Sequence, residues 1–211
     1  MTNTNVSLPI LLLLLLSGCA GAPPAGPPLL YPGSQQFPLN QVSGDVILTT
    51  FEGVSVTVQF LSIPQVDQYY RERGAGVNPI HLLRYAPPGP VVFRFRFVNQ
   101  GREHLHIDPT RLSLTDQDGK ANFSLAYDDM YTKFSDAEVL PLVLPFLQDT
   151  VLTTSLTLPP RSEKEGLVVF PPLRPEAKAL LLEFASFYVG SRPQPLLYEF
   201  TVARKVEGSQ R

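Results

Sequence analysis

Residues 91–98, VVFRFRFV, constrain the fold of this chain more than any other stretch. In an extended backbone successive side chains point to opposite faces, so Phe93, Phe95 and Phe97 share one face and Arg94 and Arg96 the other. A helix would scatter the arginines among the phenylalanines. The stretch is therefore a half-buried strand with one aromatic face. The same period of two runs through 54–60, VSVTVQF, where every second side chain is apolar. Further strands are expected over 46–51, 111–115, 121–127, 151–158, 166–170, 179–188 and 196–204.

The connections carry turn chemistry. Asn99-Gln100-Gly101 and Asp116-Gln117-Asp118-Gly119 are rich in residues that tolerate positive φ, and the second lies between alternating runs as a hairpin turn would. Pro159-Pro160 and Pro171-Pro172 close strands, because proline cannot donate into a ladder. Two segments break the rhythm. Residues 65–90 suggest a short helix over 65–72 followed by a loop, and 128–140, DDMYTKFSDAEVL, has an acidic start and helix-compatible spacing. Long connections in a small domain are often functional, so the loops at 65–90 and 128–147 are the expected contact region. Many short strands with few helical patterns predict an all-β, antiparallel β-sandwich with one or two short helical insertions.

The N-terminus has a different character. Residues 8–16 form an apolar run too short to span a bilayer, which takes ~20 residues, but suited to the apolar region of a secretory signal. Ser17 and Gly18 follow, then Cys19, the single cysteine of the chain. Leu16-Ser17-Gly18-Cys19 resembles the lipobox of bacterial lipoproteins at every position. The resemblance implies cleavage after residue 18, lipid on the Cys19 thiol, and acylation of the new amine. It also implies residence in the cell envelope, with the membrane as partner through the N-terminal lipid. Ala20 stands where aspartate often signals inner-membrane retention, which points to the outer membrane. The segment 1–7 lacks Lys and Arg, a departure from the usual signal. Two or three acyl chains hold far more tightly than one, whose binding is reversible.

With Cys19 lipidated, no internal disulfide is available, and the core must stabilise the fold alone. Thirteen Phe and eight Tyr supply much of its apolar area. The formal net charge of −2 gives no basic footprint for nucleic acid. Six prolines between residues 20 and 40 suggest a polyproline tether over 19–41, able to hold a domain over 42–206 up to ~60 Å from the lipid at ~3.1 Å per residue. The alternative is that 29–39 packs back as an ordered arm. Residues 207–211 are read as a tail.

A second resemblance covers roughly 45–204. The span FRFRFVNQGREHLHIDPTRLSLTDQDGKANFSL, with an Asn-x-Gly-type turn, an Asp-Pro and an L-x-D-x-x-G hairpin, resembles the centre of small immunoglobulin-like domains in bacterial surface lipoproteins. LPPRSEKEGLVVFPPL resembles their Pro-rich turn and following strand. This implies an immunoglobulin-like sandwich and a non-catalytic binding or accessory role, with an envelope protein or glycan as partner and no cofactor.

Few residues suggest chemistry. His104 and His106 share a face if 104–108 is a strand, with Asp108 two residues on; the pair could begin a Zn²⁺ or Cu²⁺ site completed by Asp108 or His81. That would make the chain a metal-binding envelope protein or metalloenzyme. The favoured reading is two histidines on the solvent face. Asp116 and Asp118 open like a calcium loop, but its twelfth position is Tyr127, so a plain hairpin turn is expected. Asp128-Asp129 suit a helix N-terminus better than catalysis. There is no Gly-x-Ser-x-Gly elbow and no phosphate loop. Arg94 and Arg96 could grip an anionic partner such as a lipid headgroup or glycan; the favoured reading pairs them with cross-strand acids, Glu199 among them.

Overall fold

A computed structural model describes residues 26–134 and 138–204. Alternation dictates the architecture. Two five-stranded antiparallel sheets face each other across an aromatic core, as a β-sandwich of the kind expected from the sequence. The first sheet consists of β1 (Pro28–Pro32), β14 (Leu196–Arg204), β11 (Ala179–Phe184), β7 (Leu112–Asp116) and β8 (Ala121–Phe123), in that order. The second is ordered β10 (Ser162–Phe170), β5 (Val91–Asn99), β4 (Val54–Leu61), β3 (Val46–Phe51) and β2 (Asn40–Ser43). A small third sheet joins β13 (Arg192–Pro193), β12 (Phe187–Val189), β6 (Leu105–Ile107) and β9 (Leu156–Leu158).

The period of two survives in three dimensions. Phe93, Phe95 and Phe97 of β5 are fully buried in the sandwich core with Val54, Val56 and Val58 of β4. On the facing sheet, Phe184 stands 6.0 Å from the ring of Phe95 and 6.2 Å from that of Phe97. Asn99 ends β5 fully buried, and its side-chain amide donates to the carbonyls of Glu103 and Pro159 while its Oδ1 accepts from Gly101 N. That one residue fastens a strand end to two loops.

Among the described residues three α-helices interrupt the strands: α1 (Ile63–Glu72), α2 (Tyr127–Thr132) and α3 (Leu140–Thr150). The first arises where expected, with Pro64 in its first turn and the Gln65 side chain accepting from Ser62 N. Asp129 does the same for Ala126 N at the start of α2, in line with its expected place at a helix N-terminus. The third was not foreseen. Its sequence, LPLVLPFLQDT, buries Val143, Leu147 and Thr150 on one face, a spacing of four and three. The strand expected over 151–158 shrinks accordingly to β9, and that over 121–127 to β8, because Tyr127 opens α2. The strand expected over 179–188 breaks into β11 and β12, which belong to different sheets.

The expected tether over 19–41 is corrected by the structure. Residues 28–32 form β1, paired antiparallel with β14 from Pro28 opposite Arg204 to Pro32 opposite Phe200. Leu30 is buried in the sandwich core. Beyond the strand, Gly33 N and the Gln35 side chain both donate to Glu199 O, at 2.7 Å each. Asn40 then donates to Leu197 O and accepts from the buried Thr49 hydroxyl. The domain therefore begins before residue 42, and the arm is a structural strand. The signal segment 1–18, Cys19 and the tail 207–211 lie outside the described residues. Only residues 20–25 separate Cys19 from the described chain, a span of at most ~25 Å at ~3.3–3.6 Å per residue.

Candidate functional site

The second sheet changes character along its outer face. At one end the outward residues are polar: Gln59, Arg94, Arg96, Glu163 and Glu165. At the other they are Leu61, Val92, Leu167 and Val169, all buried. An apolar outer face needs a cover, and the helical insertions supply it. Val66, Tyr69 and Tyr70 of α1, Met130 of α2, Leu147 of α3 and the 3-10 turn at Pro79–Leu82 form a second core over these four residues. Tyr70 and Thr150 lock α1 to α3 through a buried hydrogen bond of 3.0 Å, and Thr150 donates onward to Phe146 O. Burial pushes the Tyr70 phenol well above its ordinary value, against the opposing pull of the Thr150 hydrogen bond, so it stays neutral and can donate. Arg73 stacks on the Tyr69 ring and reaches Glu165 at 2.9 Å, pinning the end of α1 to β10.

This helical layer does not close completely. Between α1, the 3-10 turn and the segment 83–90 lies a cavity of about 630 Å³, within the ~300–1,000 Å³ typical of small-molecule sites. It is lined by the buried Leu61, Val66, Ile80, Leu83 and Val92 and the buried Gly26, with Ile63, Pro27, Pro87, Pro88 and Pro90 at the more exposed rim. Many of the hydrogen-bond donors of the wall are already engaged. The backbone amides of Ile80, His81, Leu83, Tyr85 and Gly89 all donate to acceptors within the same segment. Asn78 donates to Asp67 at 2.8 Å and accepts from Ile80 N, while His81 Nε2 lies 3.3 Å from the same Asp67 oxygen. No Lys or Arg lines the cavity.

The residues singled out in the sequence fall elsewhere. Arg94 donates to Gln59, and Arg96 pairs with Glu163 at 2.6 Å across the β5–β10 ladder. Pairing is what the sequence suggested, but the partner is not Glu199. That residue sits on β14 of the other sheet. His106 lies exposed on β6 with Nδ1 3.1 Å from Thr157 Oγ1, and His104 precedes the strand. Asp108 spends one oxygen on Thr110 N and Oγ1 and holds the other 3.6 Å from Arg111. His81 is engaged with Asp67 in the helical layer. Among the described residues, no three His, Cys, Asp or Glu side chains gather as a metal ion would require.

Asp116 and Asp118 belong to a turn. Asp116 Oδ1 accepts from the amides of Asp118 and Lys120, 3.0 Å each, and its Oδ2 from Arg174 Nε at 2.9 Å. Desolvation pushes the Asp116 carboxyl up, but Arg174 and the two amides outweigh it and hold the group below its ordinary value. A depressed folded value contributes stability above the unfolded value of ~3.9 and loses it as pH falls through the folded one. Asp116→Asn is accordingly destabilising at pH 7, and its deficit narrows below pH ~4. Urea unfolding at both pH values checks this; an undiminished deficit in acid contradicts it.

The sequence named both loops that meet here but not their meeting. Leu61, Val92, Leu167 and Val169 were the missed signal: apolar residues on the face opposite the core, at one end of three different strands.

Among the described residues no helix is long and apolar enough to cross a membrane. No protein-family model matches the chain, and no curated protein matches it. Among solved structures it is similar to the yjhA protein from Bacillus subtilis, at 10% identity and a TM-score of 0.39, covering 71% of this chain and 93% of that one. It is also similar to the secreted protein MPT63 from Mycobacterium tuberculosis, at 13% identity and a TM-score of 0.33, covering 73% and 91%.

Proposed function

We propose that this chain is a lipid-anchored binding module of the cell envelope, held at the outer membrane through acyl groups on Cys19. In this reading the cavity beneath the helical layer receives its ligand. The observation that carries the reading is the convergence of the two irregular segments. They fold together over one end of a sheet, and the first of them leaves about 630 Å³ of mostly apolar space there. The Leu16-Ser17-Gly18-Cys19 string supports the anchor, and the short span from Cys19 to Gly26 keeps the cavity near the bilayer. Arg94 and Arg96 are engaged with Gln59 and Glu163 within the sheet and are not the contact surface of this proposal. Nothing in the geometry favours the metal reading of His104, His106 and Asp108.

Cys19→Ser tests the anchor. Labelled palmitate and membrane fractionation are the measurements. The native chain is expected to carry label and sediment with membranes, and the variant to lose both label and processing. A native chain that carries no label and fractionates with soluble protein would sink the proposal.

A further inference from the structure

The cavity's chemistry goes beyond the statement that something binds there. Its rim includes four prolines, Pro27, Pro87, Pro88 and Pro90, none of which has an N–H to offer. The amides of Ile80, His81, Leu83, Tyr85 and Gly89 are bound within the wall, and so are the Asn78 side chain and the His81–Asp67 pair. A peptide entering such a space would bury backbone donors and acceptors without partners, at a cost for each. A hydrocarbon chain asks for no hydrogen bond, and burying it in contact with Leu61, Val92 and Leu83 is favourable in proportion to the area covered.

The position of the cavity selects the source of that chain. Gly26 and Pro27 line it, so the described part of the chain begins at the cavity. With at most ~25 Å of chain between the two, an anchored protein keeps the mouth close to lipid. Ile63, 43% exposed at the same rim, presents an apolar edge to whatever approaches. We infer that the cavity takes one acyl chain of a membrane phospholipid, with the headgroup left outside near His81 and Asp67. The inference rests on the reading of this cavity as the ligand site of an anchored module.

The test uses residues 19–211 carrying Cys19→Ser, which retain every described strand and helix and need no anchor. Titration with cis-parinaric acid, a fluorescent fatty acid, is expected to saturate at one per chain. Ile63→Glu places a charge on the rim at an exposed position, so a thermal melt close to that of the parent is expected. It should weaken binding at least tenfold. A single-chain lysophospholipid should displace the probe. Failure to saturate, or binding indifferent to Ile63→Glu, would overturn the inference. Displacement by free fatty acid but not by lysophospholipid would overturn the phospholipid as source. Loss of the anchor registers only in the fractionation above, so the two failures are told apart.

Discussion

Phe184→Ala is expected to lower the unfolding free energy by ~3–5 kcal/mol, one of the two largest effects of any single substitution considered. The ring is fully buried and stands at the junction of the two main sheets and the small third one. Besides Phe95 and Phe97 it meets Phe187 at 5.7 Å, edge to face. These neighbours sit on two strands of different sheets, each hydrogen-bonded to others, that cannot move inward together, so the space left by the ring stays largely empty. For a chain of this size the loss corresponds to a fall in Tm of roughly 6–20 °C. Urea unfolding with an unchanged slope is the measurement. Phe123→Ala is the control: its ring is 62% exposed on the edge strand β8, and the change should stay within ~0.5 kcal/mol. A Phe184→Ala loss as small as the control's would mean that the two sheets are not held by this cluster.

The second large effect concerns the N-terminal arm. Leu30→Ala should cost ~2–5 kcal/mol, since only 4% of the residue is exposed and it packs into the sandwich core. Tyr31, one residue on, points outward at 52% exposure, and Tyr31→Ala should cost much less. The contrast between neighbours is what separates a strand from a tether. A tether predicts two equal and negligible effects. The arm also sets the distance of the cavity from the proposed lipid, since β1 occupies residues that would otherwise act as spacer.

Much of the local structure was legible. The strands at 46–51 and 196–204 coincide with β3 and β14, and those at 54–60 and 91–98 fall one residue short of β4 and β5. In each the side-chain alternation is strong, and a half-buried strand has no other way to place its apolar residues. The hairpin at Asp116–Gly119 was legible too, through its turn residues. The site was legible only in pieces. The segments 65–90 and 128–147 could be named as irregular, but α3 was not, and prolines at 141 and 145 are residues that helix interiors disfavour. One of them lies in the first turn, where its missing N–H costs nothing.

What the sequence by itself determined is the face each side chain takes along each strand, and the chemistry of each turn. What only the tertiary structure decided is which strands lie side by side. Glu163 rather than Glu199 meets Arg96 because β10, sixty-odd residues away, adds to the edge beside β5. The arm shows the reason most plainly. Polyproline and β-strand backbones occupy neighbouring dihedral angles, so a proline-rich segment is extended in either case. Whether it hangs free or joins a sheet depends on a vacant hydrogen-bonding edge, here that of β14, at the far end of the chain.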